Sequence, residues 1–177
     1  EGQGVATNYL EAVNWYRKAA GQDYAHAQIN LGICYDLGQG VATNYVEAVN
    51  WYRKAAEQNY AQAQNNLGVR YEKGQGVATN YLEAVNWYRK AAGQNYAQAQ
   101  INLGGCYEKG RGVAKDEVEA ANWYRKAAAG GAARGLNSLA WILAVSQNPA
   151  IRDGSNAVVF AEKAVAATNR KVPTNLD

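Results

Sequence analysis

The sequence predicts an all-α fold of stacked antiparallel helix pairs, and three observations lead there. Trp15, Trp51, Trp87 and Trp123 recur with a period of 36 residues, and Leu31, Leu67, Leu103 and Leu139 keep the same step. Self-similarity at that length marks an array in which each supersecondary unit buries its apolar face only against its neighbours. Within each period the apolar residues follow helical spacing twice, which makes the array a helical solenoid of about nine helices.

The first stretch of the period is "NYLEAVNWYRKAA", in which Tyr9, Ala12, Val13, Tyr16 and Ala20 recur at i, i+3, i+4, i+7 and i+11. That is one helical stripe. Asn8 with Glu11 three residues on is a capping-box pair, and Arg17 and Lys18 suit the negative end of the helix dipole. Helices of this kind, here called B-type, are expected near 8–21, 44–57, 80–93, 116–129 and 154–168.

The second stretch, "NYAQAQNNLGVRYEKG", sets Tyr60, Ala63, Gln64, Leu67 and Tyr71 on one face behind an expected Asn59 cap, and Gly74 supplies a left-handed stop. These A-type helices are expected near 24–37, 60–73, 96–109 and 132–146. Gly68 sits in mid-helix, where glycine costs about 1 kcal/mol relative to alanine. Its recurrence as Gly32 and Gly104 predicts that another helix passes too close for a Cβ. The loop "GQGVATN" then turns the chain, with Gly38 and Gly40 free to take positive φ and Val41 tucked beneath. The repeated Trp and Tyr residues are expected to pack the core, each ring burying about 150–250 Å².

Bulk composition excludes several function classes. The net charge is +3, and Lys and Arg are spread as "RK" pairs without a basic tract, so nucleic acid is not implied. The longest apolar run, Leu139 to Val145, falls far short of the roughly 20 residues of a membrane span. Cys34 and Cys106 are too few for a disulfide framework and have no close Cys or His neighbours for a metal site. No cofactor motif is legible, since "GQGV" lacks both the preceding strand and the following Lys-Ser/Thr of a phosphate loop. The chain has no methionine, opens at Glu1 in what reads as a loop, and therefore reads as a piece of something longer.

The motif "LG..Y..G.GV" followed by "A..WYRKAA" resembles the Sel-one-like repeat family, a branch of the tetratricopeptide class. Leu31, Gly32, Tyr35, Gly38, Gly40 and Val41 carry it, followed by Ala48, Trp51, Tyr52, Arg53, Lys54, Ala55 and Ala56. The resemblance covers residues 1–131. From Ala132 the pattern departs: Ala140 replaces the glycine, "SQNPAIRDG" precedes the last helix, and 132–177 resembles a diverged tetratricopeptide unit. "VPTNLD", with Pro173, resembles the opening of another unit that is cut off. The expected fold is an all-α, right-handed solenoid of antiparallel helix pairs.

By that family's geometry the first helix of each pair lines an inner, concave groove. The resemblance thus places His26, Ile29, Asn30, Ile33 and Asp36 there, then Gln62, Asn65, Asn66, Val69 and Glu72, then Gln98, Ile101, Asn102, Gly105 and Glu108. Many substitutions between otherwise similar units fall at these positions, as with His26/Gln62, Ile29/Asn65 and Ile33/Val69/Gly105. Asn30, Asn66 and Asn102 offer a donor and an acceptor at each step, chemistry suited to an extended peptide.

The resemblance implies a nonenzymatic scaffold for a protein or peptide partner, with a monomer favoured. Some cysteine-rich relatives are linked to β-lactam binding and hydrolysis, which keeps an enzymatic reading open. The only histidine, His26, lies far in sequence from Ser138, Ser146 and Ser155, and no triad is legible. A third reading is a consensus-like array with no specific partner.

Overall fold

The computed structural model describes residues 8–169, and among these it contains nine helices and no strands. The B-type helices are α1 (Tyr9–Ala20), α3 (Tyr45–Glu57), α5 (Tyr81–Gly93), α7 (Glu117–Ala129) and α9 (Gly154–Asn169). The A-type helices are α2 (Ala25–Leu37), α4 (Ala61–Lys73), α6 (Ala97–Lys109) and α8 (Ala133–Val145). Every expected helix forms, with ends within a residue or so of those read from the pattern. Pro173, the start of a further unit around it, and the opening loop at Glu1 lie outside the described residues.

By its internal contacts the chain divides into a first unit, Glu1–Trp87, and a second, Tyr88–Asp177. In the first, α1 packs on α2, α2 on α3 and α3 on α4; in the second, α6 packs on α7, α7 on α8 and α8 on α9. Consecutive helices form hairpins, as an array of nearest-neighbour units requires.

Local chemistry sets the helix ends. Asn8 Oδ1 accepts the Glu11 amide at 3.0 Å while its Nδ2 donates to Glu11 Oε2, the reciprocal cap expected from the sequence. Asn44 and Asp116 cap α3 and α7 in the same way. The A-type helices end on Gly38, Gly74 and Gly110, all left-handed. Gly40 and Gly76 also have positive φ, and a Cβ at either would strike the backbone of Tyr9 or Tyr45, where the loop runs under the start of a B-type helix.

The expected Asn59 cap is corrected. α4 is capped by Tyr60 without a side-chain bond, and Asn59 itself is left-handed at φ 65°. Its Oδ1 accepts instead from Gln64 Nε2 at 3.1 Å, and the same nitrogen donates to Ala56 O at 3.2 Å. Gln28 repeats the arrangement with Asp23 and Ala20. These glutamines are buried, so their amides satisfy the carbonyl that each B-type helix leaves open at its end.

The expected core is half right. Tyr52, Tyr88 and Tyr124 are buried, and a Cβ at Gly32 would lie 2.6 Å from the Tyr52 ring, as one at Gly104 would from Tyr124. The mid-helix glycines are therefore seats for tyrosine. The tryptophans are not core: Trp15 is 61% exposed, and Trp51, Trp87 and Trp123 are half-buried. Lys18, Lys54 and Lys126 lie over the rings of Trp15, Trp51 and Trp123 at 4.5, 4.5 and 4.0 Å, covering them from the solvent side.

Beyond Ala132 the register holds although the motif fades. Phe160 lies one 36-residue period after Tyr124 and packs on the same cluster, with Ala157 and Ala164 buried one period after Ala121 and Ala128.

Candidate functional site

In the first unit the predicted residues of α2 and α4 divide into open and buried. His26 and Gln62 are exposed, while Asn30, Ile33, Asp36, Asn66, Val69 and Glu72 are partly so. Ile29 and Asn65 are 2% and 4% exposed, and Ile101 of the second unit is 9%. These three are corrected from lining to packing. Each points into the hairpin stack, because helical spacing alone leaves a position at the edge of a face ambiguous.

Polar partners organise what remains. The edge of the His26 ring meets Tyr60 at 4.9 Å between centroids. Asp36 Oδ1 receives Arg70 Nη1 at 2.8 Å, and the same nitrogen donates to Gln75 Oε1 at 2.6 Å. Arg70 is buried and its guanidinium faces the Tyr45 ring. The Tyr52 hydroxyl is held well above the ordinary phenol range, first by burial and then by the Asp36 carboxylate, with Arg70 opposing.

In the second unit Gln98, Asn102, Gly105 and Glu108 of α6 are partly exposed. Gln98 Nε2 donates to Asn102 Oδ1 at 3.1 Å, and Arg134 Nη1 of α8 donates to Gln98 Oε1 at 3.2 Å. The Tyr124 hydroxyl donates to Glu108 Oε2 at 2.7 Å, and burial with that bond keeps it protonated far above the ordinary range. A buried tyrosine thus engages an acidic residue of the A-type face in both units.

Three residues were missed by sequence reasoning. Arg70 stands where the sister units have Cys34 and Cys106, a lone charge in a column of thiols. Arg134 and Trp141 follow Gln98 and Gly105 by one period, and Trp141 is 60% exposed. Extending the period past the faded motif would have found them.

Catalytic geometry is not assembled at these positions. The contact of His26 is an aromatic edge, and Ser146 Oγ donates to Glu117 Oε2 at 2.6 Å while accepting the Asn148 amide. That bond, with Lys115, holds the Glu117 carboxyl below its ordinary range, which makes it a poor base. Cys34 and Cys106 are buried and in no disulfide, and burial raises the Cys34 thiol. Among the described residues no cluster of three His, Cys, Asp or Glu could hold a metal, and no helix is long and apolar enough to cross a membrane.

A family model described as the Sel1 repeat matches residues 1–24, 25–60, 61–96 and 97–131. The chain belongs to the Sel1 repeat family. A protective antigen of uropathogenic Escherichia coli displaying an SLR fold is similar at 36% identity and a TM-score of 0.82, over 93% of this chain and 35% of that one. A Sel1 repeat protein of Oxalobacter formigenes is 39% identical with a TM-score of 0.81, over 94% of this chain and 68% of that one. Cysteine rich protein B of Helicobacter pylori is 26% identical with a TM-score of 0.55, over 73% of this chain and 92% of that one. No curated protein matches in sequence. The Sel1 repeat is generally a protein-interaction scaffold and typically non-catalytic.

Proposed function

We propose that this chain is a nonenzymatic scaffold that binds a peptide or protein through the open face of its A-type helices. The observation that carries the reading is a contrast between columns. Buried positions repeat without change, as in Leu31, Leu67, Leu103 and Leu139. Open positions change at every step: His26, Gln62, Gln98 and Arg134 form one column, and Ile33, Val69, Gly105 and Trp141 another. Packing holds the first set fixed, while recognition of a particular partner needs variety in the second.

The surface chemistry supports the same reading. Asn30, Asn66 and Asn102 retain exposed area on successive A-type helices, and an amide can both donate to and accept from a peptide backbone. The region 132–177 fits as a diverged repeat that adds Arg134 and Trp141, residue types favoured at the centres of interfaces.

Peptides selected from a displayed random library against the purified chain test the proposal. Combined Asn30→Ala, Asn66→Ala and Asn102→Ala substitutions should weaken the selected peptides at least about tenfold, roughly 1.4 kcal/mol, with helical content kept. Changing Arg53 and Lys54 on the outer side of α3 should do less. If the outer changes abolish binding and the asparagines are silent, the assignment of the face is wrong.

A further inference from the structure

The repeated B-type helices carry Asn14, Asn50, Asn86 and Asn122 in one column, and three residues later Arg17, Arg53, Arg89 and Arg125. α9 keeps the register and changes the chemistry. Val158 and Ala161 stand in those columns, and Val165 completes an i, i+3, i+7 stripe. Val158 is 58% exposed and Val165 is 61% exposed. Ala161 and Val165 also form one wall of a surface cavity of about 560 Å³, with Arg134, Asn137 and Ser138 of α8 on the other. A solvated line has become an apolar groove, the kind of surface that marks an interaction site.

The groove has the form of a helix seat. One period earlier, α8 occupies the equivalent place on α6 and α7, where Leu136 joins Ile101 and Ala128 in one cluster and Arg134 reaches Gln98. A hairpin packed on α9 as α8 packs on α7 does not fit it. A Cβ at Gly135 of α8 would lie 2.7 Å from the Cβ of Ala127, and one period later α9 has Lys163 in place of Ala127 and Asn156 in place of Ala120. Such a hairpin would strand an ammonium where a methyl belongs.

A matching face lies in the first unit. α1 exposes Leu10 at 62% and Trp15 at 61%, whereas Trp51, in the same column, packs into a cluster with Val13 and Leu31. Glu11 and Lys18 flank this apolar surface. Antiparallel on α9, that order brings Glu11 towards Arg134 and Lys18 towards Glu162, acid to base at both flanks. We propose that copies of this chain associate head to tail, with α1 of one copy seated in the α8–α9 groove of the next. The two faces differ, so the contact is heterologous and growth continues past a dimer unless a ring closes.

Light scattering after size exclusion, from about 10 µM to about 1 mM protein, reads the outcome. The wild-type mass should rise above the 19.2 kDa monomer and pass through the dimer. Giving α9 the α3 residues, with Val158→Asn, Ala161→Arg and Val165→Glu, should hold the chain monomeric. So should Leu10→Lys with Trp15→Glu. Mixing the two blocked variants leaves one good face on each and should give a one-to-one dimer that grows no further. Arg134→Glu should weaken wild-type association at least about tenfold, and Glu11→Arg in the same chain should restore it. A monomer at every concentration overturns the proposal. So does a mixture that stays monomeric, or loss of association in the α9 variant alone, which would mean that α9 pairs with itself. Peptide binding by the A-type face is read separately and does not depend on this result.

Discussion

The surroundings of Tyr52 in the first unit and Tyr124 in the second show which parts of a repeat are fixed and which are free. Both rings sit against a mid-helix glycine, at Gly32 and Gly104, and both hydroxyls engage an acid, Asp36 and Glu108. Around that constant pair the units diverge. The first adds Arg70 on Asp36 at 2.8 Å, while the second has buried Cys106 in the Arg70 column. Shape is conserved because a close-packed ring tolerates almost no change of volume. Polar decoration is free wherever each buried group finds some partner.

The largest effect should come from the shared element and should be the same in both units. Tyr52→Ala and Tyr124→Ala each remove a buried ring and should cost about 3–5 kcal/mol by chemical denaturation. A large inequality between them would show that the two hairpins are not equivalent in packing. Trp15→Ala, on an exposed ring, should cost under about 1 kcal/mol.

A smaller effect should separate the units. Arg70→Ala leaves Asp36 without its cation and should destabilise by about 2–3 kcal/mol, below the usual range for a fully buried pair, since Asp36 keeps some solvent and the Tyr52 hydroxyl. The double change Arg70→Cys with Asp36→Asn should recover much of the loss. If Arg70→Ala is silent, the ion pair is decoration and the comparison of the two units loses its main contrast.

The smallest effect belongs to the second unit alone. Glu117 is held below its ordinary range by Ser146 and then Lys115, so the folded protein favours its ionised form. The resulting stability is present above the unfolded glutamate range, about pH 4.3, and fades as the pH falls through and below it. Ser146→Ala should flatten that part of the acid-denaturation curve, and an unchanged curve would remove Glu117 from the account.

Much of the candidate site was also legible, with identifiable failures. His26, Gln62, Asn30 and Asn66 lie open on the A-type helices as their columns suggested. Ile29, Asn65 and Ile101 did not, because a column says which residues share a line along the stack and not how deep that line lies. Arg134 and Trp141 escaped because the search followed a motif that fades at Ala132, whereas the backbone kept its period.

The sequence by itself determined the number and ends of the helices, the glycine turns and the hairpin order. These depend on local terms: caps, left-handed glycines and apolar spacing, all written within one period. Only the tertiary structure decided that tyrosine and not tryptophan fills the glycine seat, that Gln28 and Gln64 close the ends of α1 and α3, and that Arg70 reaches back to Asp36. Each of these joins residues from different helices. Their pairing depends on how closely two helices approach and which side chain reaches across, quantities that a helical pattern does not contain.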